Sequence, residues 1–333
     1  MHSTWEVKQP FGICFKFLIT LFILVTIPLV SLNIWVNQAL AAPSNDNITK
    51  TFVIKEGENP SSFSQRLQKD GIIKHAFTFR VYLKISGLDR KIQAGSFSLA
   101  TNKPATDIAK DLTTGRLDKW ITLIEGLRKE EVAAAVAKKF NIDKEKFIKQ
   151  AVEGYLFPDT YLIPLKADEE KIILLLKDNF DKKFTKDKEI QATNKALTQD
   201  QVITIASIIE RETKNNDEKP TIAGIVLKRW REDMMLGIDA TVQYALGYSE
   251  EEKVWWRKNL TEEDLKIKSP FNTRIFTGLP PGPICSPGLA SIEAVINAVD
   301  SPYYFYIHDK EGKVHYARTF QEHLRNIEKY PLF

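Results

Sequence analysis

Residues 17–36 carry no charge and are apolar except for Thr20, Thr26, Pro28, Ser31 and Asn33. A run of roughly 20 such residues is long enough to cross a bilayer, and in hydrocarbon only a helix satisfies its own backbone polar groups there. Lys8 and Lys16 precede the run, and no lysine or arginine follows until Lys50. The positive-inside rule then leaves residues 1–16 as a cytoplasmic tail and exports everything after the span. Ala39-Leu40-Ala41 has the small-x-small form of a signal-peptide cleavage site. The run exceeds the roughly 7–15 residues of a signal core, which favours an uncleaved single-pass anchor. Both readings export the body of the chain.

Composition narrows what that body can be. With 43% hydrophobic and 27% charged residues it can bury a core and is not disordered. The net charge of +4 arises from 47 basic and 43 acidic residues, dispersed without a basic block, so nucleic acid is not an expected partner. Of the two cysteines, Cys14 borders the apolar run and Cys285 lies in a proline-rich loop, which makes a disulfide between them implausible. His2, His75, His308, His315 and His323 form no His-Glu-x-x-His pair, and no Cys-x-x-Cys occurs, so no metal is expected. The absence of Gly-x-Ser-x-Gly and of a glycine-rich phosphate loop removes the usual serine hydrolase and nucleotide-binding readings, and no cofactor is expected.

The exported part reads as α+β in two pieces behind a polar linker at 37–50. In residues 51–119 a strand at 51–54, a turn at Gly57, a helix at 61–69, a helix at 76–85 and a strand at 94–99 follow in order. Phe77, Val81 and Ile85 share one side of the second helix. This strand–helix–helix–strand unit resembles a LysM domain, which implies either grip on peptidoglycan sugars or a spacer role. Glu125-Gly126 echoes Glu56-Gly57 ahead of another strand, turn and helix at 120–140, the mark of a diverged internal repeat. Residues 120–333 are read as the larger mixed domain. Its helices are expected at 202–213, after Pro220 and at 291–299, with a terminal hairpin at 303–320 and a final helix. Residues 237–244 fit neither helical nor strand periodicity. The loop 278–284, Gly-Leu-Pro-Pro-Gly-Pro-Ile, is stiffened by its prolines and serves either to shape a binding site or to pack as a structural loop.

Ala206-Ser207-Ile208-Ile209-Glu210-Arg211-Glu212-Thr213 is an apolar helix ending in two carboxylates around an arginine that points away from its buried stripe. A carboxyl group set against an apolar wall keeps its proton toward neutral pH, which a general acid for glycosidic cleavage requires. Glu210 has Lys214 four residues on, the favourable order for an exposed ion pair, whereas Glu212 has Asn216 there. Glu212 is therefore the candidate acid.

Several motifs in series then carry a resemblance: the stretch just quoted, Asp239 with Thr241-Val242 and Tyr244, Ser269-Pro270-Phe271-Asn272-Thr273, the 278–284 loop, Ser286-Pro287-Gly288, and Glu153-Gly154-Tyr155-Leu156-Phe157-Pro158-Asp159-Thr160-Tyr161. In this order they resemble the membrane-anchored endolytic murein transglycosylase family, MltG or YceG-like, over nearly the whole exported chain. One departure is Ala240, where the family pattern usually has proline, which is expected to loosen the turn. The resemblance implies a bacterial enzyme at the cytoplasmic membrane that cuts peptidoglycan glycan strands between N-acetylmuramic acid and N-acetylglucosamine. It also implies partnership with peptidoglycan synthases, and it assigns the catalytic role to Glu212. Glu153, Asp239, Thr241, Asn272 and Thr273 are expected to bind sugar hydroxyls or the N-acetyl group, and Tyr244 to stack on a pyranose. His323 and Cys285 are expected only to pack. A non-catalytic wall-binding scaffold and a hydrolytic muramidase with Asp239 as second carboxylate remain the competing readings.

Overall fold

The computed structural model describes residues 11–330. His2 and Lys8 lie outside the described residues, as do the side chains of Cys14 and Lys16. The chain is mixed α+β behind a long apolar helix and divides after Trp120 into two compact units.

The first unit contains α1 (Phe11–Leu40), β1 (Thr49–Ile54), α2 (Pro60–Lys69), α3 (Ala76–Ile85), β2 (Gly95–Ala100) and α4 (Ala105–Thr114). Within α1, Leu18–Leu40 is a 23-residue apolar stretch of mean hydropathy 2.2. The helix continues beyond Val36 to Leu40, so residues expected to open the linker are still helical. Ala39 is buried and Leu40 packs on the core of the unit, which places the non-helical connection after them. β1 and β2 pair antiparallel from Thr49 opposite Ala100 to Ile54 opposite Gly95. Phe52, Ile54, Phe97 and Leu99 on these strands meet Phe63, Leu67, Phe79 and Leu83 from α2 and α3. α2 starts one residue before the expected Ser61, because Asn59 caps it by accepting from the Ser62 amide at 2.9 Å and Pro60 fits the first turn. In α3 the buried residues are Ala76, Thr78, Phe79 and Leu83, while Phe77, Val81 and Ile85 stay exposed. Both sides of this helix are apolar, so periodicity alone could not choose between them.

The second unit begins inside β3 (Asp118–Thr122) and runs through α5 (Lys129–Ala137), α6 (Lys144–Gln150), β4 (Thr160–Pro164), α7 (Glu169–Lys183), α8 (Lys186–Asn194), α9 (Gln199–Glu212), α10 (Lys219–Arg231), α11 (Asp239–Leu246), α12 (Leu289–Ile296), β5 (Phe305–His308), β6 (Val314–Ala317) and α13 (Phe320–Lys329). β3 pairs with β4, and β5 pairs antiparallel with β6. The β3-α5-α6-β4 order repeats β1-α2-α3-β2, and Gly126 (φ 78°) repeats the left-handed turn of Gly57 (φ 74°). Thus the Glu-Gly echo marks a structural repeat.

The core of this unit surrounds α9. Thr198 and Gln201 form a capping box at its start, and the eight residues Val202 to Ile209 are all buried. A helix covered on every side is central, where the sequence suggested a broad stripe. Phe157, Ile222, Val226, Ile284, Ile292 and Val295 pack around it. The end of the proline-rich loop is part of that packing. Ile284 and Cys285 are 0% exposed, and the Ile284 amide donates to the Ser207 hydroxyl at 3.0 Å. Gly154 is required at this junction, since at φ 85° a Cβ would lie 2.5 Å from the Pro283 side chain.

Candidate active site

Glu212 is the last residue of α9, and Thr213 leaves the helix in extended conformation. The negative end of a helix disfavours a further negative charge there. Burial acts in the same direction and more strongly, so the Glu212 carboxyl is raised above the ordinary glutamate range. The Tyr306 hydroxyl, 2.6 Å from its Oε2, opposes this by donating to the carboxylate, while the nearby Asp239 charge adds to the rise. His308 and Arg274 act downward.

The β5–β6 hairpin supplies Tyr306. Its two-residue alternation puts Tyr306 and His308 on one face, with their rings 6.1 Å apart. His308 Nε2 lies 3.2 Å from Glu218, which also accepts from Thr213 and Asn215 and so orders the α9–α10 connection. Burial raises the Tyr306 phenol far above its usual value, and the adjoining Glu212 adds to the shift, so Tyr306 acts as a donor.

Glu212 and Tyr306 border a cavity of about 320 Å³ lined also by Asp239, Arg274, Arg229 and His323, together with apolar residues of β5, of α13 and of the segment before Asp239. Asp239, first residue of α11, is exposed and accepts from Arg274 Nε at 2.6 Å. Segment 239–246 is helical, contrary to the expectation from period. Eight residues with a buried face made only of Ala240, Thr241 and Val242 are too few to show a period. Ala240 sits in the first helical turn, where alanine is a strong helix former. His323 lines the cavity too, with its ring stacked on Phe305 at 5.1 Å and no partner for Nδ1 among the described residues. Burial, and then the Arg229 charge, lower its pKa, which favours the neutral imidazole.

Three expected sugar contacts are instead sealed into the wall. Thr241, Asn272 and Thr273 are each 0% exposed. Thr241 donates to the Ile238 carbonyl at 2.6 Å and shares a hydrogen bond with Thr273, whose hydroxyl also accepts from the Ile238 amide at 3.1 Å. Asn272 donates to the Leu265 and Ile267 carbonyls and accepts from the Arg274 amide. They hold the loop that carries Arg274 against the start of α11, and their polar groups are already engaged.

Glu153 and Tyr244 do not line the Glu212 cavity. Glu153 accepts from the Lys129 amide at 3.1 Å and lies 3.4 Å from the Tyr244 hydroxyl. Burial pushes its carboxyl up to about 7 despite that amide. The Tyr244 ring has the Arg128 guanidinium 4.1 Å from its centroid and Phe271 at 4.7 Å, so stacking on a pyranose would displace the arginine. Arg128 also approaches Trp255 at 4.6 Å, while Arg211 covers Trp256 at 3.9 Å.

Glu210 departs most from expectation. It does not pair with Lys214 at the surface. Its side chain is 8% exposed and accepts from the Gly288 amide at 2.9 Å, from Ser291 Oγ at 2.7 Å and from the buried Lys219 ammonium at 3.4 Å. Glu125 packs against Gly288 beside this group, and burial followed by the Glu210 charge raises its carboxyl. Glu210 joins α9, α10 and α12, whereas Glu212 alone faces a cavity. Tyr306, Arg274, Arg229 and His323 are the cavity residues that sequence reasoning did not select. Tyr306 and His323 sit in the terminal hairpin and helix, Arg229 in α10 and Arg274 just after the 269–273 motif, and none of these local sequences says what it packs against.

The YceG-like family profile matches residues 52–329. A protein of Streptococcus pneumoniae serotype 2 named endolytic murein transglycosylase is 29% identical over 88% of this chain, which spans 60% of that protein. A Bacillus subtilis protein of the same name is 28% identical, with 83% of each chain covered. A crystal structure of a yceG-like protein from Listeria monocytogenes, 26% identical, superposes with a TM-score of 0.57 over 83% of this chain and 98% of that one.

Proposed function

Since the chain belongs to the YceG-like family, we propose that it is a membrane-anchored endolytic lytic transglycosylase with Glu212 as its catalytic residue. Its substrate is the glycan strand of peptidoglycan, cut between N-acetylmuramic acid and N-acetylglucosamine on the outer side of the cytoplasmic membrane. α1 serves as the anchor. Peptidoglycan synthases, which make the strands that such cuts would end, are the protein partners that the family resemblance implies.

The observation that carries this reading is one buried carboxyl group, raised by that burial above the ordinary glutamate range, at the wall of a cavity with a phenol beside it. Glu212 donates its proton to the glycosidic oxygen as the bond from that oxygen to C1 of the muramic acid breaks. The C6 hydroxyl of the same sugar then bonds to C1, and its proton passes to the Glu212 carboxylate. A 1,6-anhydro ring forms, the acid is regenerated, and no water is consumed. Tyr306 steadies the carboxylate between the two proton transfers. Arg274 and Arg229 offer polar atoms to sugar substituents. Glu153 and Tyr244 lie in a separate group, so any part they play in binding is remote from the reacting bond.

A hydrolytic reading rests on one observation, that Asp239 shares the cavity. A glycoside hydrolase flanks the bond with two carboxylates, one free to attack or to activate water. Arg274 already engages Asp239 at 2.6 Å, which weakens it in that role. Incubating the full chain in detergent with purified peptidoglycan, followed by mass spectrometry of the products, tests the proposal. Internal cuts ending in 1,6-anhydro sugars are expected. Reducing ends would replace this reading with hydrolysis, and an uncut polymer that retains the protein would replace it with a binding scaffold.

A further inference from the structure

Helix α3 has two apolar faces, of which the first unit uses one. Phe79 and Leu83 are fully buried, whereas Phe77, Val81 and Ile85 are 64%, 39% and 83% exposed. These three stand four residues apart along one side, with Arg80 and Lys84 beside them and Lys74 just before the helix. An isolated exposed apolar side chain needs no explanation, but an aligned row marks a contact surface.

The neighbouring element identifies the partner. Trp35 of α1 lies 6.1 Å, ring to ring, from His75, the residue that caps α3. Ala39 is buried, and Leu40 and Tyr82 pack on the same core, so α1 enters this unit without a flexible break. Trp35 falls inside the apolar stretch Leu18–Leu40, roughly one and a half turns or about 7.5 Å from its end. A span of this length fills the hydrocarbon layer and leaves Trp35 at the membrane–water boundary, where tryptophan is favoured. The first turn of α3 is therefore held at that depth.

We propose that α3 lies on the outer surface of the bilayer, with Phe77, Val81 and Ile85 set among the lipids. Lys74, Arg80 and Lys84 face the headgroups, their apolar stems covering lipid while the charges reach anionic phosphates. This inference rests on the reading of α1 as a membrane anchor. The second contact fixes the first unit against the membrane.

Single cysteines placed by Phe77→Cys, Val81→Cys and Ile85→Cys, in a full chain with Cys14→Ser and Cys285→Ser, carry a polarity-sensitive dye after reconstitution. The vesicles are of phosphatidylcholine with or without phosphatidylglycerol and contain nitroxide-labelled lipids. Leu29→Cys reports on α1. Glu56→Cys is the water-exposed reference, in the turn at the far end of β1, about 20 Å of strand from α1. Dyes on α3 are expected to shift to the blue and lose emission to headgroup nitroxides, more so with phosphatidylglycerol, while the Glu56→Cys dye keeps its emission. If Leu29→Cys is quenched by deep nitroxides and the α3 dyes behave as the reference, the α3 contact is overturned and the anchor stands. An unquenched Leu29→Cys overturns both. A blue shift on α3 without quenching assigns the face to a protein or a second copy and overturns the lipid contact.

Discussion

Glu212 is poised by opposing effects whose balance can be moved one residue at a time. Burial and the helix end favour its protonated form, and the Tyr306 hydroxyl favours the carboxylate. Because the acid form starts the reaction, kcat/KM should fall as pH rises through the raised Glu212 pKa. Tyr306→Phe removes a bond to the charged form, so the pKa rises further and the alkaline limb of the kcat/KM profile moves to higher pH; an unmoved limb would show that Tyr306 does not tune the acid. Glu212→Gln should cost about a hundredfold to ten-thousandfold in kcat/KM, the range for a lost general acid, with a thermal transition no lower than that of the native chain. Glu153 makes a prediction of the opposite kind, about stability. Its folded carboxyl titrates at about 7 against a reference of 4.5, so the folded state binds more protons between those values and stability falls as pH rises through that window. Glu153→Gln should abolish this fall and leave the variant more stable by up to about 3 kcal/mol above neutral pH, as read from urea unfolding at acid and mildly alkaline pH.

At the scale of elements, the carboxylate that looked like surface decoration is the one that ties helices together. Glu210→Ala would strand the buried Lys219 ammonium, along with the Gly288 amide and the Ser291 hydroxyl. The expected loss is about 3–5 kcal/mol of unfolding free energy, measurable by denaturant titration, and a loss within error would contradict the buried network. The sequence pattern that misplaced Glu210 was a local one. An i,i+4 partner is visible along the chain, whereas Gly288 and Ser291 come from a helix far downstream that only folding brings near. Local signals were otherwise informative: the ends of α3 and the β5–β6 hairpin follow from periodicity and turn residues, whereas apolar periodicity alone missed the Thr198-Gln201 cap that starts α9 at Gln199, ahead of the expected 202. What could not be read was orientation, as with the two apolar faces of α3, and partnership, as with Tyr306 and Glu212. Buried threonines illustrate the same limit, because Thr241 and Thr273 carry the same hydroxyl whether they meet a sugar or each other.

At the scale of the molecule, an apolar helix precedes a β-α-α-β unit, and the second unit opens with the same order of elements before adding the helices and hairpin that enclose the cavity. In the proposed function the anchor confines the enzyme to wall close to its membrane, which suits cutting strands as they emerge. In the proposed reaction one glutamate serves as acid and then base while the sugar supplies its own nucleophile. Digestion of peptidoglycan in isotopically labelled water separates this reaction from hydrolysis, because hydrolysis places a solvent oxygen on the new C1 end and intramolecular attack does not. The native chain is expected to give 1,6-anhydro products free of solvent label and Glu212→Gln about a hundredfold fewer or less; labelled reducing ends, or undiminished cutting by Glu212→Gln, would overturn the single-glutamate mechanism.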